Sequence, residues 1–174
     1  MSAPFQVAIL TVSDRCARGE GEDHSGPALA ERVAEGLAGE VVATDCVPDE
    51  VDRIEACLRR WALESPRPHL ILTTGGTGFT RRDRTPEATL AVVERRAPGL
   101  QEWIRARGAE KTPFAYLSRG EAGTLGETLI VNLPGSLKGA TESYDALLPL
   151  LPHALRLLRD PGDAHPTSGS IAPA

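Results

Sequence analysis

The chain has few cysteines, almost no lysine, no long apolar run and no surplus of positive charge, and each shortage removes a class of protein. Cys16, Cys46 and Cys57 are odd in number and show no C-x-x-C spacing. With no histidine cluster beside them, neither a disulfide framework nor a structural zinc site is expected. They read as idle thiols in a reducing compartment. His24, His69, His153 and His165 are scattered and read as surface or core residues rather than ligands. No apolar stretch approaches the length of a bilayer span, and the amino terminus shows no basic-then-apolar leader, so the expected location is cytoplasmic, with no membrane partner. Lys and Arg number 19 against 24 Asp and Glu, a formal charge of −5, which argues against a nucleic-acid partner. Neither the Gly-Lys-Ser/Thr ending of a Walker A loop nor the G-x-G-x-x-G dinucleotide fingerprint is present, and no Ser-His-Asp arrangement stands out.

What the chain does have is alternation. Its 174 residues suit one domain, able to bury roughly 70% of its unfolded surface. Gln6 to Val12 reads as a buried strand, followed by a polar loop from Ser13 to Ser25. A helix from about Pro27 places Ala30, Val33, Ala34 and Leu37 on one stripe. Glu40 to Val47 reads as the second strand, and the next helix repeats the stripe at Ile54, Cys57, Leu58 and Trp61, with Trp61 expected in the core. A third strand leads to a glycine turn. Pro86 opens another helix, Ala97-Pro98-Gly99 a turn, and Leu100 to Ala109 and Pro113 to Leu117 short helical pieces. Glu121 to Gly126 is expected to be a hairpin turn into a strand at Thr128 to Leu133. Tyr144, Leu147, Leu148, Leu151, Leu155 and Leu158 share one side of a last helix that Pro149 and Pro152 should kink or divide. The expected fold is α/β: a single-domain, doubly wound, mostly parallel sheet with helices on both faces, residues 1–160, and a mobile tail at 161–174 with no apolar pattern.

The most informative stretch is LILTTGGTGFTRRDRTPEATL, residues 70 to 90. An apolar strand runs into Gly75, Gly76, Thr77 and Gly78, where missing side chains let the backbone turn and bring N–H groups close to a ligand. Thr85-Pro86-Glu87 reads as helix cap, first helical residue and first-turn acid, so the positive end of a helix dipole faces the turn. Arg81, Arg82 and Arg84, with Lys138 further on, add local positive charge within an acidic protein, which suits phosphates. Three candidate segments, Ser13-Asp14, Gly75 to Gly78 and Asn132-Leu133-Pro134-Gly135-Ser136, each follow a strand. In a parallel sheet that puts them together beyond the carboxyl edge, where ligands bind.

These residues also resemble a known family. GGTGF-T-R-R-D-x-T-P-E-A-T is similar to the signature of the molybdenum-cofactor biosynthesis family that includes MogA, MoaB and the G domain of gephyrin. TLIVNLPGSLKG at 128 to 139 resembles its second glycine motif and TPFAYLSR at 112 to 119 its T-P-x-A/G-x-L-S-R segment. VSDR at 12, DHSGPAL at 23 and VPDE at 47 also fit, and LLPLLPHALRLLRD is especially like gephyrin's G domain. Phe79-Thr80 after the glycines is gephyrin-like, where MogA-like members often carry Pro-Ala. The likeness spans about residues 5 to 160.

The resemblance implies transfer of AMP from Mg-ATP to the terminal phosphate of molybdopterin, releasing pyrophosphate, with possible hand-over to a molybdenum-insertion protein and a homotrimeric assembly. Positioning and electrostatics supply most of such catalysis, so no protein nucleophile is required. Asp49 and Asp83 match the family's two acidic positions and are the expected catalytic residues and Mg²⁺ ligands, although Asp49 also reads as a helix cap and Asp83 as a surface ion-pair partner. Ser118 and Asn132 match positions implicated in the molybdopterin pocket, while Ser13, Asp14, Gly75 to Gly78, Arg82, Thr85, Pro134, Gly135 and Ser136 complete the expected substrate contacts. The competing reading is a non-catalytic molybdopterin carrier or scaffold of the MoaB type.

Overall fold

In the computed structural model of the chain, which describes residues 4–159, one six-stranded sheet organises everything. In chain order the elements are β1 (Phe5–Val12), α1 (Asp14–Ala17), α2 (Ser25–Gly36), β2 (Gly39–Val47), α3 (Val51–Leu63), β3 (Leu70–Thr74), α4 (Thr85–Val92), β4 (Arg95–Arg96), α5 (Pro98–Ala109), a 3₁₀ turn (Pro113–Leu117), β5 (Ala122–Leu125), β6 (Thr128–Leu133), α6 (Leu137–Leu147) and α7 (Leu151–Arg159). The strand order is β2-β1-β3-β6-β5-β4. The first four of these run parallel, and β5 and β4 are added antiparallel.

Alternation along each strand separates two cores. Val7, Ile9, Leu70, Leu72, Val131 and Leu133 face α2, α5, α6 and α7, while Ala8, Leu10, Val12, Ile71 and Ile130 face α3 and α4. Both faces of β3 and β6 are covered, so both strands are buried along their whole length, as their unbroken apolar runs require. The chain leaves β1 in one direction to form β2 and returns on its other side to form β3. The crevice beyond the carboxyl ends of β1 and β3 is therefore a topological switch point, the expected ligand position in such a sheet.

Several local expectations are corrected. The loop from Ser13 to Ser25 contains the short α1, which Ser13 caps by accepting a hydrogen bond from Cys16 N–H. On α2 the buried stripe is Leu29, Val33 and Leu37; Ala34 is exposed. Trp61 is half-buried at the margin of its core rather than inside it, because it lies near the end of α3. Glu121 to Gly126 is mostly strand, not turn: Ala122–Leu125 pairs with β6 and the reversal falls at Gly126 and Glu127. Gly123 is a close-approach residue, since a Cβ there would sit 2.6 Å from the Arg95 carbonyl oxygen. β4, two residues long, carried no period to read. The last helix is divided as expected, at Pro149. The expected tail lies outside the described residues. No helix among the described residues is long and apolar enough to cross a membrane.

Candidate functional site

Both glycine motifs end parallel strands, and they meet. Gly75 has φ +105° and Gly76 +64°, a region that side chains rarely adopt. A Cβ on Gly75 would overlap the Val12 carbonyl oxygen, and one on Gly135 would lie 3.0 Å from Gly75 Cα. The turn is held by hydrogen bonds from below. Gly75 N–H donates to the Leu133 carbonyl (3.2 Å), Thr74 Oγ1 donates to the Pro134 carbonyl (2.8 Å), and Thr85 Oγ1 donates to the Gly75 carbonyl (2.8 Å). The two motifs thus form one wall of backbone.

A cavity lies on each side of this wall. The first, about 520 Å³, is lined by Thr77, Gly78, Ser118, Pro134 and Ser136 from the motifs, and by Ile104, Arg107, Lys111, Phe114 and Leu117 from α5 and the turn that follows. The second, about 510 Å³, is lined by Ser13, Asp49, Gly75, Gly76, Asp83 and Gly135, together with Arg15, Asp23 and Ser25. Helix amino termini face this region, α2 starting at Ser25 and α6 being capped by Ser136, whose Oγ accepts from Gly139 N–H. Anions are favoured there.

Asp49 does not cap α3. Instead Asp14 N–H donates to Asp49 Oδ2 (2.9 Å) and Asp49 N–H donates to Asp14 Oδ1 (3.0 Å), a reciprocal clasp between the ends of β1 and β2. Arg82 closes on Asp14 with two bonds, Nε to Oδ2 at 2.9 Å and Nη2 to Oδ1 at 2.7 Å. Asp83 accepts from Thr80 N–H at 2.7 Å. Burial pushes the Asp49 carboxyl above its ordinary range, and the nearby negative charges of Asp14 and Asp83 push the same way, against the Asp14 N–H. The Arg82 guanidinium draws the Asp14 carboxyl below its ordinary range.

The expected site residues therefore divide. Ser13, Asp49, Gly75, Gly76, Asp83 and Gly135 meet at the second cavity, and Thr77, Gly78, Ser118, Pro134 and Ser136 at the first. Asn132 is corrected: it is 1% exposed, its Nδ2 donates to Thr73 Oγ1 and Thr89 Oγ1, and its Oδ1 accepts from Glu121 N–H. A buried amide has to satisfy every polar atom, and this one does so inside the sheet rather than in a pocket. Thr85 is likewise buried beneath the glycine turn, is the first residue of α4 rather than its cap, and lines neither cavity. Asp14, an expected substrate contact, and Arg82 are bonded to each other, and they, like Arg81, Arg84 and Lys138, line neither cavity. The cations that do line them, Arg15, Arg107 and Lys111, were missed. Arg107 and Lys111 lie on and just after α5 at i and i+4, a spacing that could have drawn notice.

Comparisons with known proteins give the chain's family and fold. The family described as "Probable molybdopterin binding domain" matches residues 8–153. The chain is 44% identical over 152 residues to the molybdenum cofactor synthesis protein cinnamon of Drosophila melanogaster, a match covering 87% of this chain and 25% of that protein. It is 39% identical over 155 residues to a molybdopterin adenylyltransferase of Helicobacter pylori, covering 88% of each. Among solved structures it is similar to the molybdopterin biosynthesis enzyme MoaB of Thermus thermophilus, with TM-score 0.83, 55% identity, and coverage of 88% of this chain and 96% of that one. The chain thus spans about a quarter of the fly protein and most of the two bacterial ones.

Proposed function

Since the chain belongs to the molybdopterin-binding domain family of molybdenum cofactor biosynthesis, we propose that it is a molybdopterin adenylyltransferase. An oxygen of the molybdopterin terminal phosphate attacks the α-phosphorus of ATP, the bond to the β-phosphate oxygen breaks, and pyrophosphate leaves. The observation that carries this reading is the pair of cavities sharing one wall of glycine backbone, each within the size range of small-molecule sites. Molybdopterin enters the first cavity, where Ile104, Phe114 and Leu117 offer apolar surface and the ion pairs Arg107–Glu110 and Lys111–Glu142 offer polar partners. ATP enters the second, beside Asp49 and Asp83. The two phosphates then meet along the wall, where backbone N–H groups and helix termini stabilise the charge that builds up during transfer.

Asp49 and Asp83 would hold Mg²⁺. Among the described residues no group of three or more His, Cys, Asp or Glu is placed to bind a metal, so two carboxylates with phosphate and water oxygens would complete the shell, the usual arrangement for this cation. The residues fit it: the crowding of negative charge that raises Asp49 is relieved by a divalent cation. When bound, Mg²⁺ neutralises charge on the transferring phosphates. The Asp14–Asp49 clasp keeps the ends of β1 and β2, and with them Asp49, in place.

Incubation with molybdopterin, ATP and Mg²⁺ tests the proposal; adenylylated molybdopterin and pyrophosphate are expected in equal amounts. Binding without pyrophosphate, where a known family enzyme turns over, selects the carrier reading. We further propose a cytoplasmic homotrimer that passes its product to a molybdenum-inserting partner. Phe79 and Tyr116 are exposed aromatic side chains outside both cavities that suit a protein interface, and light scattering gives the number of copies.

A further inference from the structure

Arg119 closes the TPFAYLSR segment at 112 to 119, where no role was expected of it, yet it is bonded to several parts of the site. Its backbone N–H donates to the Thr77 carbonyl at 2.9 Å and its Nε to the Gly78 carbonyl at 2.7 Å. Nη2 donates to the Asp83 carbonyl and Nη1 to the Glu87 carboxylate. Thr77 and Gly78 line the first cavity and Asp83 the second. One guanidinium therefore joins a wall of the first cavity to the loop that presents an acid to the second.

The anchor is itself fixed. Arg105 Nη1 on α5 donates to the carbonyls of Ser118 (3.2 Å) and Gly120 (3.3 Å), the two residues flanking Arg119. Gln101 Nε2 donates to the carbonyls of Glu121 (3.1 Å) and Asn132 (2.8 Å), tying the same segment to β6. Thr80 N–H holds the Asp83 carboxylate from its own loop, and two arginines tie that loop to the rest of the fold: Arg82 to Asp14 at the end of β1, and Arg119, which alone of the two bonds to Asp83 itself. The planar five-donor fork of arginine suits such a task, and lysine, with a single point of charge, cannot reproduce it.

We propose that Arg119 is a positioning residue that sets Asp83 for the transfer step by tying its loop to the wall of the first cavity. The inference rests on the adenylyltransferase reading above. Its effect is on geometry rather than on substrate binding, because it lines neither cavity and all three nitrogens of its guanidinium donate to protein acceptors. Misplacing a catalytic group by about 1 Å costs on the order of 100-fold in rate, and losing a supporting partner typically about 10- to 100-fold.

Pyrophosphate release, KM for each substrate and thermal unfolding are measured on the full chain for Arg119→Met, Arg119→Lys, Asp83→Ala and the double variant Arg119→Met with Asp83→Ala. The expected result is a kcat lowered about 10- to 100-fold in both Arg119 variants, KM for molybdopterin and ATP changed by less than about threefold, and no additional loss in the double variant, since coupled residues are not additive. Arg119→Lys serves where Arg119→Met folds poorly. Unchanged kcat per folded molecule, recovery by lysine, or a loss that adds to that of Asp83→Ala would overturn the inference while leaving the reaction standing. Full activity of Asp83→Ala would remove the premise and the inference together.

Discussion

The two cavities share a wall but are made of different material. The second is built from the carboxyl ends of β1, β2 and β3 and the start of α2, and its chemistry comes from backbone, from Asp49 just past β2 and from Asp83 in the loop before α4. The first is closed by α5, the turn after it and α6, and its chemistry comes from side chains carried on helices. One is dictated by sheet topology, the other by which residues happen to decorate a surface. The difference assigns tasks: transfer belongs on the rigid side, where geometry is over-determined, and recognition of the variable part of a substrate belongs on the side that can be redecorated.

That contrast is most severely tested at the carboxylates. Asp49→Ala and Asp83→Ala should each lower adenylylation on the order of 100- to 1,000-fold, the loss typical of one group that stabilises transition-state charge. Molybdopterin affinity, read by its fluorescence, should change by less than about threefold, since neither residue lines the first cavity. A matching loss of affinity would show that the cavities are not separate. Next in size is the wall itself. Gly75→Ala forces a side chain into φ +105° and against the Val12 carbonyl oxygen, so a loss of at least about 1–3 kcal/mol in urea unfolding is expected, with both substrates affected. Normal stability of the Gly75→Ala protein would mean that the wall yields.

Smaller effects should be confined to one side. Phe114, 75% exposed at the first cavity, should on truncation to alanine weaken molybdopterin about five- to tenfold, equivalent to about 1 kcal/mol for one stacked ring, with KM for ATP unchanged; equal effects on both substrates would undo the assignment. The smallest concerns charge at Asp49. Its carboxyl titrates above the ordinary value of 3.8 in the fold, through burial first and then the charges of Asp14 and Asp83, so the folded protein holds that proton more tightly than the unfolded chain. Stability is therefore lost as pH rises from 3.8 through the folded value, and the loss is complete at neutral pH. Asp49→Asn, though inactive, should unfold at higher urea concentration than the parent at neutral pH, and the difference should vanish in acid. Lower stability of the Asp49→Asn protein would show that the carboxylate's bond to Asp14 N–H outweighs its desolvation.

The same contrast explains what could be read from sequence. The second cavity was legible because strands declare themselves by period and their ends by glycine, so Ser13, Gly75 and Gly135 could be placed on one edge without knowing any contact, while Asp49 and Asp83 came through the family resemblance. The first cavity was half legible: Thr77, Ser118 and Ser136 came through motif, while Arg107, Lys111 and Phe114 needed the packing of α5 against α6, which no local pattern encodes. Asn132 misled because a polar residue ending an apolar strand looks aimed at a ligand. Only the fold brings Thr73, Thr89 and Glu121 N–H within its reach. Arg82 misled similarly, since its partner Asp14 lies 68 positions away in the chain.

A partition made of peptide has nothing on it for substitution to alter. Where Gly135 rests on Gly75, an added Cβ would press on Gly75 Cα at 3.0 Å, and one on Gly75 would overlap the Val12 carbonyl oxygen. The first chamber carries no such restriction, because its lining is largely side chains on α5, the turn after it and α6. Descendants of this frame are thus free to exchange what enters that chamber while the meeting point of the contents stays constant, and divergence should appear as new cargo delivered to an old junction.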